Sequence, residues 1–275
     1  FSDQTKLSDL SPLAGWNTGS VTHFWGMFFK DAGLSDLFPM QSWNTGSAIV
    51  MYSMFAECSG LADLRPLSGW NVSKVQDMDR MFQRCSKLTD ISSLQSWNTG
   101  STTTMSYMFD GCDLRSLEPL KQWQVGKVVY MTGLFRGNYN LTTLNGLQDW
   151  DTSAAVYMGD PAVSPGGTFS NCVKLTDISA ISNWNVSNVK LMRDLFYNDK
   201  MLTDITPLSN WKTTSVTCID GLMLACGIRD VNALKNWDTS KVWTTWGTFY
   251  KCPNLTNIDG ISNWNTTSLR YMSIM

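Results

Sequence analysis

The chain has 275 residues, with 21 basic and 23 acidic side chains and one histidine, for a net charge of −2 at pH 7. So near a balance argues against a nucleic-acid partner, and a single histidine, His23, leaves Ser-His-Asp or Cys-His chemistry almost nothing to build on. Charged residues make up only 16% of the chain, so the surface must be largely Ser, Thr, Asn and Gly, and no apolar run approaches the ~20 residues of a membrane span.

From the N-terminus, Leu7, Leu10 and Leu13 lead to Trp16, and the same frame then recurs to the end of the chain. Ten tryptophans, at 16, 43, 70, 97, 123, 150, 184, 211, 237 and 264, are separated by 27, 27, 27, 26, 27, 34, 27, 26 and 27 residues. A fixed period of this size means a solenoid, in which each unit stacks on its neighbours because it cannot bury its apolar face alone. The third unit is the clearest: Leu61, Leu64 and Leu67, then Trp70, Asn71, Ser73, Val75, Met78, Met81, Phe82 and Cys85.

With Trp as zero, apolar residues fall at −9, −6, −3, 0, +5, +8, +11, +12 and +15. The Leu triad, spaced by three, predicts a tightly turning coil. The β-branched residue near +5 (Val21, Val75, Val128, Val189, Val216, Val242) predicts a short strand. The stripe +8, +11, +12, +15 predicts about two turns of amphipathic helix burying Met, Phe and Cys. Parallel pairing at ~4.8 Å per coil would give an array on the order of 45 Å long. The fold class is thus a repeat solenoid of about ten coils of ~27 residues, each with a short parallel strand and a short helix, one elongated domain over 1–275.

Three polar columns accompany this frame. Asp stands at −7 in seven units (Asp9, Asp36, Asp63, Asp90, Asp177, Asp204, Asp230), most simply accepting backbone N–H bonds in a turn, although carboxylates one rung apart would also repel. Asn at +1 (Asn17, Asn44, Asn71, Asn98, Asn185, Asn265) reads as a side-chain amide ladder. Six of the seven cysteines (Cys58, Cys85, Cys112, Cys172, Cys226, Cys252) share +15, with Asn138 and Asp199 replacing Cys in other units; small buried apolar thiols fit better than disulfides, and a spacing of 27 is not that of a zinc site. No phosphate-binding glycine motif is present, so neither metal nor cofactor is expected and the chain reads as no enzyme.

Binding is sought where the rhythm breaks. The 34-residue gap inserts a loop over 159–167, Gly159 to Gly167, including Asp160; it is either a loop on the binding face or a neutral insertion. Aromatics outside the core columns come in neighbouring units: Trp25 and Tyr52 at +9, Tyr130 and Tyr157 at +7, and Trp243 with Trp246 in the ninth unit. Stacked rungs would set such rings side by side, as a platform for sugars or a protein hot spot. The candidate binding residues are therefore Trp25, Tyr52, Tyr130, Tyr157, Asp160, Trp243 and Trp246.

The consensus L-x-x-[LI]-x-x-L-x-x-W-[ND]-[TV]-S followed by V-x-x-M-x-x-M-F-x-x-C resembles the BspA-like leucine-rich-repeat surface proteins of bacteria, in their mycoplasma-type and lactobacillus-type repeats. The match covers the whole chain, with departures at Gln124 and Asn138 of the fifth unit. The resemblance implies a secreted or wall-anchored adhesin, extracellular on the bacterial surface, whose partners are host mucin, glycans or matrix proteins. The segment is expected to be monomeric, without membrane insertion of its own. Leucines in register before Trp16 and an end at Met275, short of the expected Phe and Cys, read as a piece of a longer protein that carries signal and anchor elsewhere.

Overall fold

Residues 1–275 are all described by a computed structural model. Each coil opens with its leucine triad, where the N–H of the −3 residue donates to the carbonyl of the −6 residue, as Leu67 does to Leu64 at 2.9 Å. This single turn of 3-10 helix occurs in nine coils: Ser11–Leu13, Phe38–Met40, Arg65–Leu67, Ser92–Leu94, Glu118–Leu120, Ser179–Ile181, Thr206–Asn210, Asn232–Leu234 and Asp259–Ile261. A 3-10 helix repeats every three residues, which is why leucines at that spacing all face the axis. The −7 column caps these turns: Asp63 accepts the Arg65 N–H at 2.9 Å and Asp90 that of Ser92 at 2.8 Å, and Ser116, Thr143 and Asn257 do the same where Asp is missing.

At the corner, the Trp side chain lies flat over the coil before it. Trp16–Trp43 and Trp43–Trp70 ring centroids are 6.3 Å apart at interplanar angles of 3° and 5°. The +1 residues then form turns, not an amide ladder. Asn44 accepts the N–H of Gly46 at 3.0 Å, Asn71 that of Ser73 at 3.1 Å, and Asp151 and Asp238 act alike. The cause is local: a short side-chain oxygen reaches the N–H two residues on more readily than the next coil's amide.

The strand expected near +5 lies two residues later and is reduced to one residue per coil. Parallel bridges run from His23 through Val50, Asp77, Thr104, Tyr130, Tyr157, Leu191, Cys218 and Thr244 to Tyr271, all at +7. Position +5 instead closes the turn from +2, as Val75 N–H does to the Val72 carbonyl at 2.9 Å.

The helix expected over +8 to +15 is absent. In the third coil, the N–H groups of Met81 and Cys85 close turns onto Met78 and Phe82, at 3.2 and 3.1 Å. Arg80 and Arg84, the third residues of those turns, have φ of 58° and 57°. Alternate N–H groups leave the coil: Met78, Arg80, Phe82 and Arg84 donate to Thr104, Ser106, Met108 and Asp110 of the next, at 2.6–3.1 Å. Two linked turns bury i, i+3, i+4 and i+7 just as a helix would. A helix would keep every N–H to itself, whereas the turns spend half of them on stacking. Left-handed backbone at +10 and +14 recurs along the chain, at Gly26 and Lys30, Tyr107 and Gly111, Gly133 and Gly137, Asp194 and Asn198.

All of this surrounds one apolar cluster of 74 buried residues. Its spine is a stack of phenylalanines at +12, from Phe28 through Phe55, Phe82, Phe109, Phe135 and Phe169 to Phe196, with centroids 5.7–6.1 Å apart. The cysteines beside it are free thiols whose S–H groups point back at the previous coil's +12 carbonyl, Cys85 to Phe55 at 3.2 Å among them. No helix is long and apolar enough to cross a membrane.

Candidate functional site

The linked turns form one long face on which most side chains at +7 and +9 reach solvent, while most at +10 and +13 are buried and Arg80 and Arg136 are among the exceptions. Where the repeat is regular, its surface depressions repeat as well. The hollow beside Trp184, lined by Ser182 to Ser187, Asn210 and Lys212, has its equivalent beside Trp123, lined by Lys121 to Gly126, Asp149 and Asp151. Such hollows are by-products of the corner.

Two clefts on the turn face have no such equivalents. The first, about 440 Å³, lies among Trp25, Phe29, Tyr52, Glu57, Arg80 and Gln83. Trp25 is 72% exposed and meets Tyr52 edge to face at 6.0 Å. The second, about 430 Å³, lies among Asp79, Arg80, Tyr107, Tyr130, Tyr157 and Asp160, closed at one side by Pro161. Tyr130 and Tyr157 stack face to face at 4.8 Å, 3° from parallel. Arg80 lines both clefts, which makes them halves of one groove along the coils.

The centre of the groove is held by residues that were not singled out from sequence. The buried Tyr107 ring has the Arg80 guanidinium at 5.0 Å and the Arg136 guanidinium at 5.4 Å from its centroid, and its hydroxyl donates to Asp160 at 2.6 Å. Each cation gains from the negative ring face. Burial and the Asp160 carboxylate both push the Tyr107 hydroxyl's pKa upward, so it stays protonated and keeps donating. Against the desolvation of its own site, the bonds from Tyr107, Ala162 and Val163 hold the Asp160 carboxyl below the usual range. Asp79, half-buried next to Arg80, is raised to about 6 by desolvation, despite bonds from the Thr104 hydroxyl and the Ser106 N–H.

The loop over 159–167 is therefore no loose insertion. Tyr107 holds Asp160; Arg136 donates to the Pro165 carbonyl at 2.6 Å while bridging Asp110 at 2.7 Å; Arg193 donates to the Pro161 carbonyl at 3.0 Å. Asp160 turns the loop by accepting the N–H groups of Ala162 and Val163 at 2.8 and 3.0 Å.

Of the residues expected from sequence, Tyr130, Tyr157 and Asp160 share one cleft and Trp25 and Tyr52 the adjoining one. Trp243 and Trp246, 42% and 40% exposed, lie several coils away and line neither; Trp243 meets Tyr271 edge to face at 5.7 Å. No cluster of three His, Cys, Asp or Glu side chains is arranged to hold a metal ion.

One ladder, one core and linked turns in register define a repeat solenoid. The family described as "Mycoplasma protein of unknown function, DUF285" matches residues 1–118, 103–223 and 225–275, and the chain belongs to it. No curated protein sequence matches. Solved structures with similar coils include an internalin of Listeria monocytogenes (13% identity, 89% of this chain and 81% of that one, TM-score 0.32). A leucine-rich repeat protein of Bacteroides ovatus (14%, 82% and 66%, TM-score 0.35) and internalin C2 of Listeria monocytogenes (17%, 73% and 77%, TM-score 0.24) are also similar.

Proposed function

We propose that the chain is an adhesive segment of a bacterial surface protein, which binds host mucin or another glycoprotein through the groove that Arg80 joins. The observation that carries this reading is the groove itself, where four of the six aromatics that depart from the repeat, the pinned insertion and a shared cation converge. Two clefts of about 440 and 430 Å³ fall in the range of small-ligand sites, and stacked rings flanked by hydroxyls suit sugar units. The segment acts as one elongated unit, and many weak contacts sum over many copies on a cell.

Acid should favour the interaction. Near pH 4 carboxylates begin to protonate while 21 Lys and Arg remain charged, so the surface turns positive towards sialylated or sulfated mucin. The rival reading is a spacer that holds another adhesive domain away from the wall. Binding of the purified chain to immobilised mucin at pH 4 and pH 7, with and without high salt, decides between them. The adhesive reading expects saturable binding that is stronger at pH 4, weakened by salt and reduced on removal of 159–167. Replacing both Trp243 and Trp246 by Ala tests whether the distant aromatics share in it. No binding to mucin, matrix protein or glycan array would leave the spacer.

A further inference from the structure

Five of the eight arginines, Arg65, Arg84, Arg115, Arg136 and Arg193, bridge a carboxylate within 4.0 Å. Arg80 bridges none, although it stands among acids. Each neighbouring carboxylate is engaged elsewhere: Glu57 by Arg84 at 3.3 Å, Asp110 by Arg136 at 2.7 Å and by Gln83 at 2.8 Å, Asp160 by the Tyr107 hydroxyl, and Asp79 by Thr104 and Ser106. The Arg80 guanidinium is steadied against the Tyr107 ring, with Gln83 Oε1 at a marginal 3.5 Å from Nη1, so most of its N–H edge has no partner in the chain.

Its backbone is also costly. Arg80 has φ of 58°, in the left-handed region that favours glycine, and four other coils place glycine at the same offset: Gly26, Gly133, Gly221 and Gly247. A long cation is thus kept in a strained position, between two aromatic clefts, without an internal ion pair. We propose that Arg80 reads the acid group of an acidic saccharide, a pyranose bearing a carboxylate or a sulfate ester, whose ring lies against Tyr52 on one side or Tyr130 on the other. The planar guanidinium presents paired N–H donors that match either anion, and a cation already stacked on a ring gives up little freedom on binding. The hydroxyls and aromatic walls of the two clefts suit a sugar better than an aliphatic peptide. This assignment rests on the adhesive reading and narrows it to one residue and one ligand class.

Calorimetric titration of the intact chain with lactose, sialyl-lactose and sulfo-lactose tests it. Either or both acidic sugars should bind at least roughly tenfold more tightly than lactose, the scale of one charge-assisted contact. Arg80→Gln should erase that preference and Arg80→Lys restore part of it, with melting midpoints that confirm both variants are folded. Equal affinity for lactose, full binding by Arg80→Gln, or complete displacement by a glutamate-rich peptide would each overturn the assignment. Mucin binding that survives Arg80→Gln removes this site and leaves the adhesive reading standing. Acidic-sugar binding that is lost in Arg80→Gln, in a chain that ignores mucin, upholds the site and sinks the mucin reading.

Discussion

The indole N–H of Trp97 donates to the Leu67 carbonyl, one coil back, at 3.1 Å, and the backbone N–H of Trp70 donates to the same oxygen at 3.0 Å. The leucine turn of each coil is thereby tied both to its own corner and to the next coil's tryptophan. The relation recurs from Trp43 on Leu13 to Trp264 on Leu234. It explains why tryptophan, and no other large ring, holds this column: phenylalanine fills the stack without the donor, and tyrosine carries its hydroxyl in the wrong direction.

Trp97→Phe keeps an aromatic ring and removes that bond together with part of the packing. The expected loss is about 1–3 kcal/mol in chemical denaturation. Because coils contact only their neighbours, Trp97→Phe and Trp184→Phe should add within about 0.5 kcal/mol. An unchanged midpoint for Trp97→Phe would show that neither the indole bond nor the larger ring selects tryptophan here.

The same columns explain what could and could not be read in advance. Leucines at −9, −6 and −3 and tryptophan at zero point to a solenoid because only stacking repeats them so regularly. The apolar spacing of Met78, Met81, Phe82 and Cys85 is common to a helix and to two linked turns; what separates them is the left-handed backbone at Arg80 and Arg84, and neither residue type announces it. The misassigned helix also hid the site. On a helix, Arg80 and Tyr107 would be ordinary exposed positions, whereas on the turn face their +10 offset faces the groove. Tyr130, Tyr157, Trp25 and Tyr52 were legible because exposed aromatics in adjacent coils must become neighbours whatever the local backbone.

The cysteines should be chemically silent. Burial pushes the thiols of Cys58 and Cys218 up to about 12, the latter despite the nearby Arg193, and those of Cys85, Cys172 and Cys226 well above the ordinary range. In the native protein a thiol reagent at pH 8 should modify at most Cys252, which is only half-buried, and should reach seven sites only in denaturant. A reductant should leave the melting midpoint unchanged. Rapid native labelling of Cys85 or Cys172, located by mass spectrometry, would contradict the packing of the column.

Asp199 occupies the same column with a different charge rule. It is fully buried between Cys172 and Cys226; Oδ1 accepts the Cys172 N–H at 2.8 Å and Oδ2 has no partner. Desolvation raises its carboxyl well above the normal range, so it folds neutral. An unfolded Asp ionises near pH 4; from there upward ionisation favours the unfolded state, and stability falls until the folded pKa is reached. Asn138 supplies the remedy in another coil, where its amide donates to the Phe109 and Phe135 carbonyls at 2.9 and 2.8 Å. Asp199→Asn should therefore raise the melting midpoint at pH 7.5 and lose that advantage towards pH 4. An advantage that is the same at both pH values would show that Asp199 is not neutral when folded.

Asp79 makes the groove itself sensitive to pH. Its carboxyl lies beside Arg80 and titrates near 6, raised by burial and by neighbouring Asp77 and lowered by Thr104, Ser106 and Arg80. Between pH 7 and pH 5 it takes up a proton, and the anion beside Arg80 disappears while a sulfate ester on a ligand remains ionised. Sulfo-lactose affinity should therefore rise over that interval. Asn at this position can still accept from the Ser106 N–H but carries no charge, so Asp79→Asn should bind at pH 7 as the parent does at pH 5, with a flat profile between. Glu57 and Asp160 also line the groove and Asp110 is buried behind Gln83; each is occupied by an arginine or a tyrosine hydroxyl. A profile that rises equally in Asp79→Asn would move the pH sensitivity from this carboxylate to the charge of the whole surface.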